Sequence, residues 1–186
     1  MSESFVKPQD VLHFWFDEAT PAQHFGRDDA FDGVILDRFA KTHRAASHGE
    51  LAGWRASPDG RLAEIIVLDQ FSRNLFRGDA RAFAADGMAL VLAQEAIRAG
   101  ADADAGMPAM RRAFLYMPFM HSESRVIHVE AERLFRQPGL ENNYGFELKH
   151  KATIDRFGRY PHRNAVLGRL PTAEEEAFLQ QPGSSF

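Results

Sequence analysis

Apolar residues recur at three- and four-residue spacing along almost the whole chain, and strict alternation is hard to find. That period marks amphipathic helices. Pro8 opens a short aromatic helix through Phe16, with Val11, Leu12 and Trp15 on one side. Phe31, Ile35 and Phe39, four apart, set a longer helix over 28–43. Ser57 followed by Pro58 is an N-cap with proline at the first helical position, and Gly78 closes the helix it opens. Asp79 caps a helix running to Ala99, and "GADADAG" (100–106) is a loop. A helix from Pro108 follows, which Pro118 must kink or end because it cannot donate to the ladder. Ser122 or Ser124 caps a helix to Arg136, "QPGLENN" turns the chain, and a helix over 144–157 stops at Gly158. Thr172-x-x-Glu175 is a capping box for a short last helix. Connections are short, so neighbouring helices should pack antiparallel. With no repeat, low-complexity tract or boundary, the pattern predicts an all-α single domain over 1–186, its core spanning about 8–179.

Four stretches break this pattern with polar residues. In the helix over 57–77, Leu62, Ile65 and Ile66 set an apolar stripe that continues, at the α-helical repeat, onto Asp69 and Arg73. Gln70 and Arg77 lie beside them. The opposite arc, Val67, Leu68, Phe71 and Leu75, is apolar too and needs its own cover. A solvated Asp69–Arg73 pair would explain two of these residues. A polar cleft lined by Asp69, Gln70, Arg73 and Arg77, with Asn74 alongside, also explains the second buried arc. The next stretch, 146–157, places His150 on a face shared by Phe146, Ile154 and Phe157, where most histidines are satisfied core residues. "RFGRYPHRNAVLGR" (156–169) gathers Arg156, Arg159, His162, Arg163 and Arg169 with no acid among them. Gly158 and Pro161 set a turn there, so His162, Arg163 and Asn164 would open a helix suited to phosphate or carboxylate. In "MHSES" (120–124), capping accounts for Ser122 and Glu123 and leaves His121 unexplained.

Charge sharpens the expectation. Arginines cannot shed their protons, so buried ones need carboxylates or a bound anion. Asp69 is the only acid on its helical arc. The segments around Asp69 and Arg163 are therefore expected to meet, with Asp69 near an arginine or His162 of the later one. One aspartate cannot neutralise Arg73, Arg77, Arg159 and Arg163, so surplus positive charge should attract a small anion.

Composition mainly excludes. With no cysteine there are no disulfides, thiol nucleophiles or cysteine zinc sites, and a cytoplasmic home is the default. The formal charge of −4 gives no field to recruit nucleic acid. No apolar run reaches the ~20 residues of a membrane span, and the first residues do not read as a secretory signal. Glu147-x-x-His150 is one pair where a bundle metal site needs two and further glutamates, so no metal and no cofactor are expected. HExxH, a phosphate-cradling glycine loop and a G-x-S-x-G elbow are absent.

"LDQFSRNLFRGDARAFAAD", "MPFMHSES" and "RFGRYPHRNAVLGR", with the opening "VLHFWF", together resemble the bacterial family known as domain of unknown function 924, from about Asp10 to Phe178. The resemblance implies a tetratricopeptide-like, right-handed superhelical arrangement of helices and supplies no activity or catalytic residue. The leading expectation is a pocket for a small anionic metabolite. Arg73, Arg77, Arg159 and Arg163 would hold the anion, with Gln70, Asn74 and Asn164 as further ligand contacts. Asp69 would act with His121, His150 or His162 in proton transfer. The rival is a binding module that takes a peptide or protein in an open groove. A third reading makes the polar residues a buried ion-pair network that fixes helix packing. Whether the protein is an enzyme stays open at this level.

Overall fold

The computed structural model describes residues 5–185, and no strand occurs among them. Ten α-helices follow in order among these residues: α1 (Pro8–His13), α2 (Pro21–Phe25), α3 (Asp29–Ser47), α4 (Pro58–Ile66), α5 (Ser72–Leu75), α6 (Asp86–Arg98), α7 (Ala109–Met120), α8 (Arg125–Phe135), α9 (Glu141–Phe157) and α10 (Ala173–Leu179). Two wider, π-helical turns interrupt the pattern. Phe14–Glu18 extends α1, and Val67–Phe71 joins α4 to α5. Short 3-10 turns lie at Ala52–Ala56, Ala80–Phe83, Ala101–Ala103 and Pro161–Arg163. None of the described helices is long and apolar enough to cross a membrane.

The local signals mostly act where the sequence puts them. Ser57 Oγ accepts the Gly60 N–H at 3.1 Å, and Thr172 and Glu175 form the capping box of α10. Gly158 ends α9 in the left-handed region, at φ 71°. Several boundaries differ. Asp79 caps the 3-10 turn Ala80–Phe83, and α6 begins only at Asp86. Pro118 lies inside α7, which ends two residues later at Met120. Glu141, Asn142 and Asn143, expected in a turn, form the first turn of α9. His162 and Arg163 close a 3-10 turn and open no helix. Phe146 faces solvent while His150 and Ile154 are buried, so that face is narrower than the sequence implies.

α4 is the hub. Leu62, Ala63, Ile65 and Ile66 are fully buried, and the helix packs on α1, α6 and α7 at once. Its π-helical extension packs on α3 and α6. Phe39 packs there against Phe14 and Phe71 in tilted contacts, with ring centroids 4.9 Å away in each case. At its start, α4 presses on the preceding 3-10 turn. A Cβ on Gly60 would lie 1.8 Å from the Trp54 carbonyl oxygen, so only glycine fits. α7, α8 and α9 pack in succession. Because α7 runs beside α4, its last turn meets the π-helical turn, and the segment after α9 folds back across that junction.

Candidate functional site

The last turn of α7, the first turn of α6, the Ala80–Phe83 turn and residues 163–167 surround a cleft of about 330 Å³. Phe83, Leu90, Pro118 and Leu167 give it apolar walls, and its polar lining is Asp86, His121, Ser122, Glu123 and Arg163.

The π-helical turn sets the rear wall. Its i→i+5 pattern inserts one extra residue into the helix and buries both Asp69 and Gln70. Asp69 Oδ1 accepts a hydrogen bond from His121 Nδ1 at 2.8 Å. Its Oδ2 accepts one from Gln70 Nε2 at 2.6 Å. Arg73 Nη1 lies 3.3 Å from Oδ1 and donates to the Asp69 carbonyl oxygen at 2.7 Å. Burial opposes the Asp69 charge, but Arg73, His121 and Gln70 outweigh it and hold the carboxyl below its usual range. For His121, burial and then Arg73 push the pKa down against the pull of Asp69. The state at neutral pH is a carboxylate bonded to a neutral imidazole. Nδ1 carries the proton, assigned from its partner. The lone pair is left on Nε2, which makes no hydrogen bond among the described residues.

Arg163 forms another wall. Its guanidinium carbon lies 4.4 Å from the Phe83 ring centroid and 4.6 Å from that of Tyr160, between two aromatic faces. Nη1 donates to Asp86 at 3.2 Å, while Nε is buried with no hydrogen-bond partner. Burial lowers the proton affinity of Arg163 and Asp86 restores part of it; guanidinium remains charged in proteins. Asp86 also takes both Arg73 Nη groups, at 3.0 and 3.1 Å. Glu123 accepts a forked pair from Arg169 at 2.6 and 2.9 Å and the Tyr160 N–H at 2.7 Å. Arg73, Arg163 and Arg169 thus face Asp69, Asp86 and Glu123, and the charges balance.

The expected meeting of the two segments occurs by a different route. Asp69 bonds within its own helix and to His121, and Asp86 bridges Arg73 to Arg163. The expected surplus of positive charge is largely cancelled. Arg77 forks onto Asp32 of α3 at 2.7 and 2.9 Å, and Asn74 bonds the same carboxylate at 2.7 Å. Arg159 forks onto Glu175 at 2.6 and 2.8 Å. Asn164 bonds Arg169 and Glu175. These four residues tie elements together and do not line the cleft. His150 and His162 stand behind it, with rings 5.7 and 5.5 Å from Tyr160. Burial lowers their pKa values to about 3 and about 4, Arg163 adding to the effect on His162.

Sequence reasoning missed Asp86, Glu123, Phe83 and Tyr160 as parts of the site. It also missed a fully buried chain in which His128 Nδ1 meets Glu147 at 2.7 Å, while Nε2 meets the Ser122 carbonyl at 2.8 Å and Tyr160 Oη at 3.2 Å. The stretches resembling the family held the signal for the first four, since Phe83 and Asp86 close the first stretch, Glu123 lies in the second and Tyr160 in the third. Nothing around His128 marked it. No cluster of three or more His, Asp or Glu among the described residues has the geometry to hold a metal ion.

Fold and site define an all-helical protein with a charge-balanced cleft, in which a carboxylate-backed imidazole and a stacked arginine share the lining. The chain belongs to the bacterial family of proteins of unknown function DUF924, whose profile matches residues 11–183. It is similar to a solved protein of unknown function from Agrobacterium tumefaciens, 39% identical over 93% of this chain and 96% of that one, with a TM-score of 0.86. No curated protein matches the chain significantly.

Proposed function

We propose that the cleft is an acid–base site for a small molecule carrying an anionic group. Arg163 takes that group, and His121 accepts a proton at Nε2 from the ligand or from water beside it, with Asp69 stabilising the imidazolium that forms. The observation that carries this reading is that His121, backed by Asp69, and Arg163, held between Phe83 and Tyr160, line one cleft. His121 Nε2 lacks a protein partner among the described residues, while its ring is held from behind through Nδ1. No hydroxyl among the described residues bonds His121 Nε2, so the base acts on the ligand or on water and not through a serine nucleophile. The convergence of these side chains on one cleft favours a small-molecule site over a peptide or protein groove, along which polar residues would be spread. Arg77, Arg159 and Asn164 fit the structural role instead.

The test combines binding and resonance. A broad set of small carboxylates and phosphates, at matched ionic strength, should contain members that raise the melting temperature as RT ln(1 + [L]/Kd), about 2.7 kcal/mol at a hundredfold excess. The same members should move the His121 imidazole resonances. Arg163→Met should abolish the rise and Arg159→Met should keep it, while His121→Gln keeps binding and loses any turnover found. If no member moves either signal, the reading fails.

A further inference from the structure

We infer that the ligand of this cleft is a small monocarboxylate with an apolar body, and not a phosphate or a dicarboxylate; this rests on the acid–base reading above. Two observations carry it. The first is charge. Among the described residues Arg163 is the only cation lining the cleft, and two carboxylates, Asp86 and Glu123, line it with it. Arg73 and Arg169 stand behind those acids and are taken up by them. One negative charge can therefore settle on the free edge of Arg163. A second charge on the same ligand would lie close to Asp86 or Glu123 in a partly dehydrated space, where like charges repel strongly. The second observation is shape. Nη1 is committed to Asp86 and Nε is closed off by burial, so Nη2 is the donor Arg163 has left to offer. One charge-assisted donor suits a single carboxylate and leaves the further oxygens of a phosphate without partners.

The remaining walls say what the carboxylate is attached to. Phe83, Leu90, Pro118 and Leu167 offer hydrocarbon and no donors, and about 330 Å³ lies at the small end of the range for ligand pockets. A branched aliphatic chain or a single ring fits such walls, and a sugar or a nucleotide does not. A hydroxyl next to the carboxylate would add a donor for His121 Nε2, the one unused acceptor of the dyad.

The probes are benzoate, isobutyrate and 2-hydroxy-3-methylbutyrate, set against succinate, inorganic phosphate and isobutyramide at matched ionic strength. The three monocarboxylates should give saturable rises in melting temperature, the hydroxy acid the largest. Succinate and phosphate should bind about tenfold more weakly or worse, and the uncharged amide should give nothing. Arg163→Met should remove the monocarboxylate response. Leu167→Asp, at the half-exposed edge of the cleft, leaves the ion pairs untouched and should remove it as well by adding a repelling charge. A shift from phosphate or succinate that depends on Arg163 and equals or exceeds that of benzoate overturns the monocarboxylate assignment and leaves the acid–base site standing. Equal shifts from the amide and the acid overturn it too. If no probe of any kind gives a shift, both fail.

Discussion

Asp69 is buried with its charge intact, and its neighbours show what that requires. Hydrogen bonds from Gln70 and His121 and an ion pair with Arg73 converge on one carboxylate. Asp69→Ala removes the carboxylate and leaves Arg73 with Asp86 alone and His121 Nδ1 without an acceptor. Loss of one partner from a buried pair costs about 3–5 kcal/mol, so urea denaturation should show a loss of that order. In the intact protein, nitrogen NMR at pH 7 should find His121 neutral, with the proton on Nδ1 and a bare Nε2; a charged imidazolium there would sink the proposed base. Residue by residue, the sequence could reveal that Asp69 and Arg73 interrupt an apolar stripe, because period and polarity are both local. It could not reveal what neutralises the arginines. Asp32 and Asp86 sit in the first turns of α3 and α6, where acids are favoured by the helix dipole anyway. Glu175 already had a role in a capping box. Each acid had a sufficient local explanation, and its long-range partner was invisible behind it.

Among the elements, the π-helical turn Val67–Phe71 decides where the polar residues go. A count at the α-helical repeat puts Asp69, Gln70, Arg73 and Arg77 on neighbouring arcs, as if all served one cleft. One extra residue in the turn changes the register of α5, and α5 itself ends at Leu75. Asn74 and, past the helix end, Arg77 reach Asp32 on α3, while Asp69 and Arg73 stay toward His121 and Asp86. Nothing in the composition of "VLDQF" announces such a turn, which is why the helix was legible and its partition was not. Elsewhere the elements read well because caps and apolar period agree, as at Ser57, Gly158 and Thr172. α2 was also readable, from the box that Thr20 and Gln23 form around Pro21, but five residues give too little period to notice. The contact of Gly60 with the Trp54 carbonyl yields a further prediction. Gly60→Ala, normally helpful in a helix, should here destabilise by about 1–3 kcal/mol or more through backbone overpacking. An unchanged or raised melting temperature would contradict the close approach.

At the scale of the whole molecule, stability should follow the buried His150 and the half-buried His162. His150 and His162 titrate at about 3 and about 4 in the folded protein, against an ordinary value near 6.5 in the unfolded chain. Below pH ~6.5 the unfolded state therefore binds protons that the folded state refuses. Stability is complete above that pH and falls as pH drops toward 4, by about 1.4 kcal/mol per unit for each histidine. Denaturation at pH 7 and pH 5 should differ by about 4 kcal/mol or more, since burial also lowers His24, His43 and His121. His162→Gln should take about 1.4 kcal/mol per unit off the slope. A flat profile over that window would mean that these rings are not kept neutral by burial. The all-helical architecture behind this was legible because period, caps and glycine stops repeat along the chain; how distant segments dock was not, because it depends on ion pairs such as Arg163 with Asp86, 77 residues apart. That separation has a consequence for synthesis. The main apolar cluster draws its buried residues from Val11 to Leu140, while Tyr160, Arg163 and Arg169 bring their donors to Glu123 and Asp86 from beyond it. Chains leave the ribosome N-terminus first and begin folding as they emerge. The nascent protein can bury most of its core while Glu123 still waits for Arg169, and the cleft forms only once residues 160–169 have emerged behind it.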